Sequence, residues 1–275
     1  MKRFEITFLG TNGSCAYNNG VRVKYGTNTL CVAAVVGEET LIFDTGTGIC
    51  GFSGLADYHR EHLRMFYTHY HVDHLEGLLF FSELFDPRIK IDIYGLAHAD
   101  METREILGRF LSKPYQPVGL GVFKANINYH TIAADHKIEL SGGVTVRTYS
   151  LSHPGGAIGY RVDYEGKSFC YCSDAELSNH RDDKNLIEFL RGAELLVLDS
   201  AFDDGEVIPG WGHSSWRECA ILAKEAEVKQ LALYHHGYTL TDAEIDTRAK
   251  KAQKIFPGTF ASADGMKVIL YPDSV

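Results

Sequence analysis

The 275-residue sequence lacks the marks of several large protein classes. It has no surplus of basic residues: 27 Lys and Arg stand against 36 Asp and Glu, a formal net charge of -9. That balance excludes a long nucleic-acid track held mainly by cationic side chains. A small anionic substrate stays open, because bound divalent cations reverse the local field. No uncharged stretch approaches the length of a membrane span. The segment 1–9 is charged and then strand-like, with neither the apolar run nor the small-residue cleavage site of a secretory signal, so the cytoplasm is the expected compartment. Cysteines are few and scattered, at 15, 31, 50, 170, 172 and 219. The C-x-C at 170–172 has no second pair to complete a zinc knuckle, and reduced, mostly buried thiols are expected. No low-complexity linker divides the chain, and its length suits one large domain spanning 1–275.

What the sequence does have is concentrated in six residues, His69-Tyr70-His71-Val72-Asp73-His74. Residues 63–68 before them read as a buried strand, and 75–81 after them place apolar residues at helical spacing. The cluster therefore falls on a turn at the carboxyl end of a strand, where α/β folds gather ligands. His69 and His71 alternate along an extended segment and can face one way, with Asp73 in phase and His74 displaced by one. Four donors are too many for one tetrahedral site that also keeps an open position, so two adjacent metal ions are expected.

Other polar donors also stand at the ends of apolar strands. Residues 144–151 deliver His153, 167–172 end in Ser173-Asp174, 194–199 end in Asp199, and 231–234 deliver His235-His236. Alternation favours His235 over His236 as the donor, leaving His236 as a supporting or substrate contact. The turn Asp44-Thr45-Gly46-Thr47-Gly48 has neither the spacing nor the lysine of a phosphate loop, and Asp44 suits orientation of a ligand better. Helices are expected over 101–111, 182–190 and 214–227, the last with Ile221 and Leu222 on its apolar side. A final helix begins at the capping box Thr241-Asp242-Ala243-Glu244. The segment 113–124 is loop-like and could lie over the site. Strands followed by helices in both halves predict an α/β architecture, a four-layer αββα sandwich.

With His153, Asp174 and His235 at later strand ends, the HYHVDH run resembles the metallo-beta-lactamase-fold hydrolases along nearly the whole chain. Gly10-Thr11-Asn12-Gly13-Ser14, Asp44-Thr45-Gly46 and Gly212-His213-Ser214-Ser215 are similar to the ribonuclease Z and phosphodiesterase branch of that family. The resemblance implies that His69, His71 and His153 hold one metal, that Asp73, His74 and His235 hold the other, and that Asp174 bridges them. Zinc suits this set, with Mn or Fe as alternatives. Two ions about 3.5–4 Å apart would share a hydroxide for in-line attack on phosphorus. It also implies Asp73 as proton acceptor, His213 as general acid and Asp199 as the group that orients His213. Asp199 stands in Leu198-Asp199-Ser200-Ala201-Phe202, where ribonuclease Z usually carries Glu in a His-Glu-Ala-Thr segment.

The chain has no long basic, Gly/Pro-rich arm of the kind that holds transfer RNA in ribonuclease Z. The expected substrate is therefore a small phosphodiester, cyclic nucleotides included, with no membrane partner and homo-oligomerisation left open. The alternatives are a thioester or lactone hydrolase, which has no need of the His213 acid, and a mono-iron dioxygenase using His69, His153 and Asp174. Trp211 and Trp216 flank the Gly212–Ser215 motif, where helix packing and a stacking surface for a base are both open. The histidines at 59, 62, 98, 130, 136 and 180 are expected to be exposed or structurally hydrogen-bonded.

Overall fold

The computed structural model describes residues 2–18, 20–56, 58–180 and 183–271. Apolar side chains alternating with a period of two build a pair of seven-stranded sheets. The first takes β1 (Phe4–Gly10), β2 (Cys31–Val36), β3 (Glu39–Phe43), β4 (His62–Phe66), β5 (Lys90–Leu96) and β6 (Asn126–Ile132) in that order. The second runs across β7 (Lys137–Glu139), β8 (Thr145–Leu151), β9 (Ala157–Tyr164), β10 (Lys167–Cys172), β11 (Leu195–Asp199), β12 (Gln230–Tyr234) and β13 (Thr259–Ala261). The last strand, β14 (Lys267–Tyr271), returns to the first sheet and pairs antiparallel with β1. Strands β3 to β6 are mutually parallel, as are β10 to β13. Their carboxyl ends are thereby gathered on one rim of each sheet.

Three apolar clusters separate four layers, as the αββα expectation requires. In β2, Val32, Ala34 and Val36 face the second sheet, while Cys31, Ala33 and Val35 face outward. In β11 the same split sends Leu195 and Val197 inward and Leu196 and Leu198 outward. Outside the first sheet lie α1 (Thr103–Phe110), through Leu107, and several short 3-10 turns carrying Ile49, Phe52, Leu78 and Phe81. Outside the second lie α2 (Lys184–Leu190), α3 (Trp216–Glu225) and α4 (Asp242–Gln253). Residue 182, where the helix before β11 was expected to begin, lies outside the described residues.

The expected helix over 75–81 is replaced by 3-10 turns at Val72–His74 and Leu78–Phe80. Gly77 is the reason. Its N–H donates to Thr45 O at 2.9 Å, and a Cβ there would meet Gly46 O at 2.2 Å, so the segment is drawn onto the 44–48 turn instead of coiling away. In α3, Leu222 is buried but Ile221 is exposed, because neighbouring residues point about 100° apart around a helix. The segment 113–124 ends tied to the outer layer, where Lys124 N–H donates to Leu84 O and Phe123 meets Phe85. All six cysteines are free thiols: Cys31, Cys170, Cys172 and Cys219 are buried, and Cys15 and Cys50 are exposed. Among the described residues no helix is long and apolar enough to cross a membrane.

Candidate metal centre

The polar donors converge where β3, β4, β8, β10, β11 and β12 end. Asp44, Asp174 and His235 each follow a strand directly or by one residue and hold φ values of 58°, 48° and 54°. Residues other than glycine adopt this left-handed region at a cost, and such positions cluster at functional sites. Here it turns each side chain off the sheet and toward the neighbouring strand ends. Asp44 occupies the centre of the support. Its carboxylate accepts from Thr68 N–H (2.9 Å), His74 Nδ1–H (2.9 Å) and Tyr171 O–H (3.0 Å), which joins both sheets behind the histidine turn.

Among the described residues three groups of donor atoms lie close enough to hold a cation, and two of them carry the expected ligands. His69, His71, His153 and Asp174 form one, and Asp73, His74 and His235 the other, with donor atoms within 4.8 Å of one another in each. Asp174 reaches both: Oδ1 is 3.3 Å from His74 Nε2, while Oδ2 is 3.4 Å from His235 Nε2 and 3.8 Å from both His69 Nε2 and His153 Nε2. A third grouping joins Asp174 and His235 to His213. The chemistry of the donors fits divalent cations. The buried atoms His69 Nε2, His74 Nε2 and both ring nitrogens of His235 have no hydrogen-bond partner among the described residues. Buried polar atoms are rarely left so, and these converge on the carboxylates that a cation would also bind.

Electrostatics point the same way. Burial, reinforced by its histidine neighbours, holds His69 well below the ordinary imidazole pKa, and burial also lowers His71 and His153. Neutral imidazoles are the form that ligates. Burial opposes protonation of His74 and His235 as well, but Asp174 pulls both well above the usual value, helped by Asp44 at His74 and Asp199 at His235. Burial likewise opposes ionisation of Asp73 and Asp174, and the surrounding imidazoles nevertheless hold both carboxyls down. Asp73 and Asp174 thus favour a positive partner, the role a divalent cation would fill.

Beside the second group, His213 Nδ1–H donates to Asp199 Oδ2 at 2.6 Å, and its ring lies 4.6 Å from that of His235. Burial works against its protonation, yet the Asp199 carboxylate outweighs burial and raises the pKa. Asp199 is fixed in turn by Ala201 N–H at 2.8 Å. His236 points elsewhere: Nε2–H donates to Ser262 O at 2.9 Å, its ring lies against Tyr25, and burial lowers its pKa to about 3. Of the other histidines, His62 and His130 bond Asp92, His98 bonds Gly155 O, and His180 bonds Asp183.

Residues 40–236, which carry every one of these donors, match the family model described as a beta-lactamase superfamily domain. The chain belongs to the beta-lactamase superfamily. Curated relatives of the chain include the ribonuclease Z of Thermoplasma acidophilum, 26% identical across 96% of this chain and 95% of the relative. Their alignment runs to 320 positions against a chain of 275 residues, so the relative has residues that this chain lacks. Among solved structures of similar fold, the metallo-beta-lactamase fold protein YhfI of Bacillus subtilis covers 98% of this chain and 100% of its own, at 18% identity and a TM-score of 0.75. The short form of human tRNase Z covers 96% and 98%, at 20% identity and a TM-score of 0.69.

Four supports of this site are absent from the donor pattern in the sequence. Ser14 N–H donates to Asp73 Oδ2 at 2.8 Å, and a Cβ at Gly13 would sit 2.2 Å from the His235 ring. The Gly/Asn run at 10–20 was the available signal. Gly212 O accepts from His153 Nδ1–H at 2.8 Å, and Glu176 Oε2 accepts from Gly212 N–H at 3.0 Å. Nothing in the spacing of Glu176 marks it: Ser178 Oγ–H donates to Oε1 at 3.3 Å, but the loop held by Oε2 lies 34 and 36 residues away.

Proposed function

We propose that this metal-dependent hydrolase cleaves small phosphodiesters, cyclic nucleotides included, as a single domain over residues 1–275 acting in the cytoplasm. His69, His71 and His153 would hold one divalent cation and Asp73, His74 and His235 a second, with Asp174 between them and zinc the best match to imidazole and carboxylate donors. When bound, such a pair lowers the pKa of water toward neutrality and stabilises charge at a phosphoryl centre.

The chain's own groups supply the rest. Asp73, steadied by Ser14 N–H, takes a proton from the attacking water. The water oxygen bonds to phosphorus as the bond to the leaving alcohol breaks, and that electron pair goes to the departing oxygen. His213, charged and oriented by Asp199, protonates it. The His213–Asp199 pair at 2.6 Å is the observation that carries this reading, because an alkoxide needs an acid and a thiolate does not. The small-substrate choice is supported by the acidic balance of the chain and by the residues it lacks beside the ribonuclease Z of T. acidophilum.

The test is hydrolysis of bis(p-nitrophenyl) phosphate and of cyclic nucleotides with added Zn or Mn. Turnover is expected in the native protein and none in Asp73→Ala. A metal-loaded protein that leaves every phosphodiester of the panel intact overturns the assignment.

A further inference from the structure

Two observations outside the donor groups meet at the loop 208–213. The first is Trp211, 60% exposed, whereas Trp216 is 5% exposed. Trp216 is explained by packing: its Nε1–H donates to Asp203 at 2.5 Å, and Lys251 Nζ lies 5.6 Å over its ring. Among the described residues Trp211 has only Phe202 beside it in aromatic contact, at 6.5 Å, and Phe202 in turn lies 6.1 Å from His213. The second is Glu176, a carboxylate buried to 3% exposure. Its Oε2 accepts from Gly210 N–H at 2.8 Å and from Gly212 N–H at 3.0 Å, the two residues that bracket Trp211. Both glycines hold φ near +80°, a conformation glycine reaches without strain. A buried acceptor oxygen thus fixes the backbone on each side of an indole that is left in water.

We propose that Trp211 is a stacking platform for the planar ring of the leaving group, so that the preferred substrates are phosphodiesters whose leaving alcohol is a nucleoside. The proposal rests on the phosphodiesterase reading above. A proton delivered by His213 puts the departing oxygen on the His213 side of the site. A nucleoside carries its base one sugar ring away from that oxygen, and the Phe202 ring spans the corresponding gap to Trp211. An aromatic face takes any base with little regard to its identity, at about 1–3 kcal/mol per base. Because Glu176 has already ordered the loop, little freedom is lost when a base lands on it.

The experiment compares kcat/KM for adenylyl-(3′→5′)-adenosine with that for the same dinucleotide lacking both bases, whose ester bonds are identical. Trp211→Ala should lower the ratio of the two by about tenfold, and Trp211→Phe should restore most of it. A second arm reads binding. With only two tryptophans in the chain, adenosine 5′-monophosphate should quench the fluorescence of metal-loaded Trp216→Phe, while ribose 5-phosphate should not. An unchanged ratio in Trp211→Ala, or equal quenching by the two phosphates, overturns the platform. If the native protein cleaves neither dinucleotide yet turns over phosphodiesters of the panel above, the preference for a nucleoside leaving group is overturned; if it leaves those intact as well, the phosphodiesterase reading fails. Quenching by the adenosine phosphate alone would then still support the platform, and its absence would overturn it.

Discussion

At the residue scale, the division of labour between His213 and the donor groups gives a prediction that depends on the leaving group. A positioned acid contributes roughly 10²–10⁴-fold when the departing oxygen is basic. His213→Ala should therefore slow alkoxide-leaving diesters by that range and p-nitrophenyl esters far less, so that rate plotted against leaving-group pKa becomes steeper. Equal losses on both would take the acid role from His213 and reopen the acyl-substrate alternative. Glu176 invites a different test, as a positioning residue that acts through Gly212 O on His153 Nδ1. Partners behind a ligating histidine are typically worth 10–100-fold in metal affinity. Glu176→Ala should weaken one bound metal per chain by that factor, and Glu176→Gln, which keeps an acceptor oxygen, should recover much of it. Competition titration with a chromogenic chelator reads both. An unaltered affinity in Glu176→Ala would limit Glu176 to holding the loop.

At the scale of elements, the end of the first sheet away from the site is closed by polar contacts rather than apolar ones. Asp92 on β5 accepts from His62 on β4 (2.6 Å), Asn128 on β6 (2.9 Å) and His130 (3.2 Å), and it also pairs with Arg64. Burial opposes ionisation of Asp92, but these donors and the Arg64 charge hold its pKa below the ordinary 3.8. A carboxyl lowered by folding stabilises the fold fully above the unfolded value and loses that contribution as pH falls through the folded one. Urea unfolding from pH 7 down to 3 should thus show the native protein losing stability below about pH 4 more steeply than Asp92→Asn. Parallel curves would show that Asp92 contributes nothing to the acid limb.

The same scale shows what the residues disclosed in advance. Strands β4, β10, β11 and β12 were legible because each is an apolar run bounded by turn residues, and the donors at their ends followed from that placement. The turn at 75–81 was not, because its outcome depended on Gly77 meeting Gly46 across 31 positions of chain, and apolar periodicity carries no record of such a contact. Glu176 was invisible for a related reason: what its Oε2 holds is a pair of backbone N–H groups in a distant loop. Trp211 and Trp216 look alike in sequence, and only the closure of α3 over Asp203 separates the packed ring from the exposed one.

At the scale of the molecule, the donor groups straddle the seam between the sheets. His69, His71, Asp73 and His74 belong to the turn after β4, whereas His153, Asp174 and His235 follow β8, β10 and β12 of the other sheet. A cation in either group is therefore a clip between layers whose apolar core, built from Phe43, Phe66, Tyr160, Phe169 and Tyr171, is complete without it. Chelation should leave the secondary structure intact by far-ultraviolet circular dichroism while lowering thermal stability. Metal at a hundred times its dissociation constant adds about 2.7 kcal/mol, which for a chain of this size is a shift of roughly 5–10 °C. Amide exchange sharpens the test. On metal removal the carboxyl ends of β4 and β12 should exchange faster, and the Asp92 end of β5 should not, because the clip acts at one rim only. Uniform acceleration through both sheets would mean that metal binding and the folding of the whole chain are one event, and that the apolar core does not hold the layers together alone.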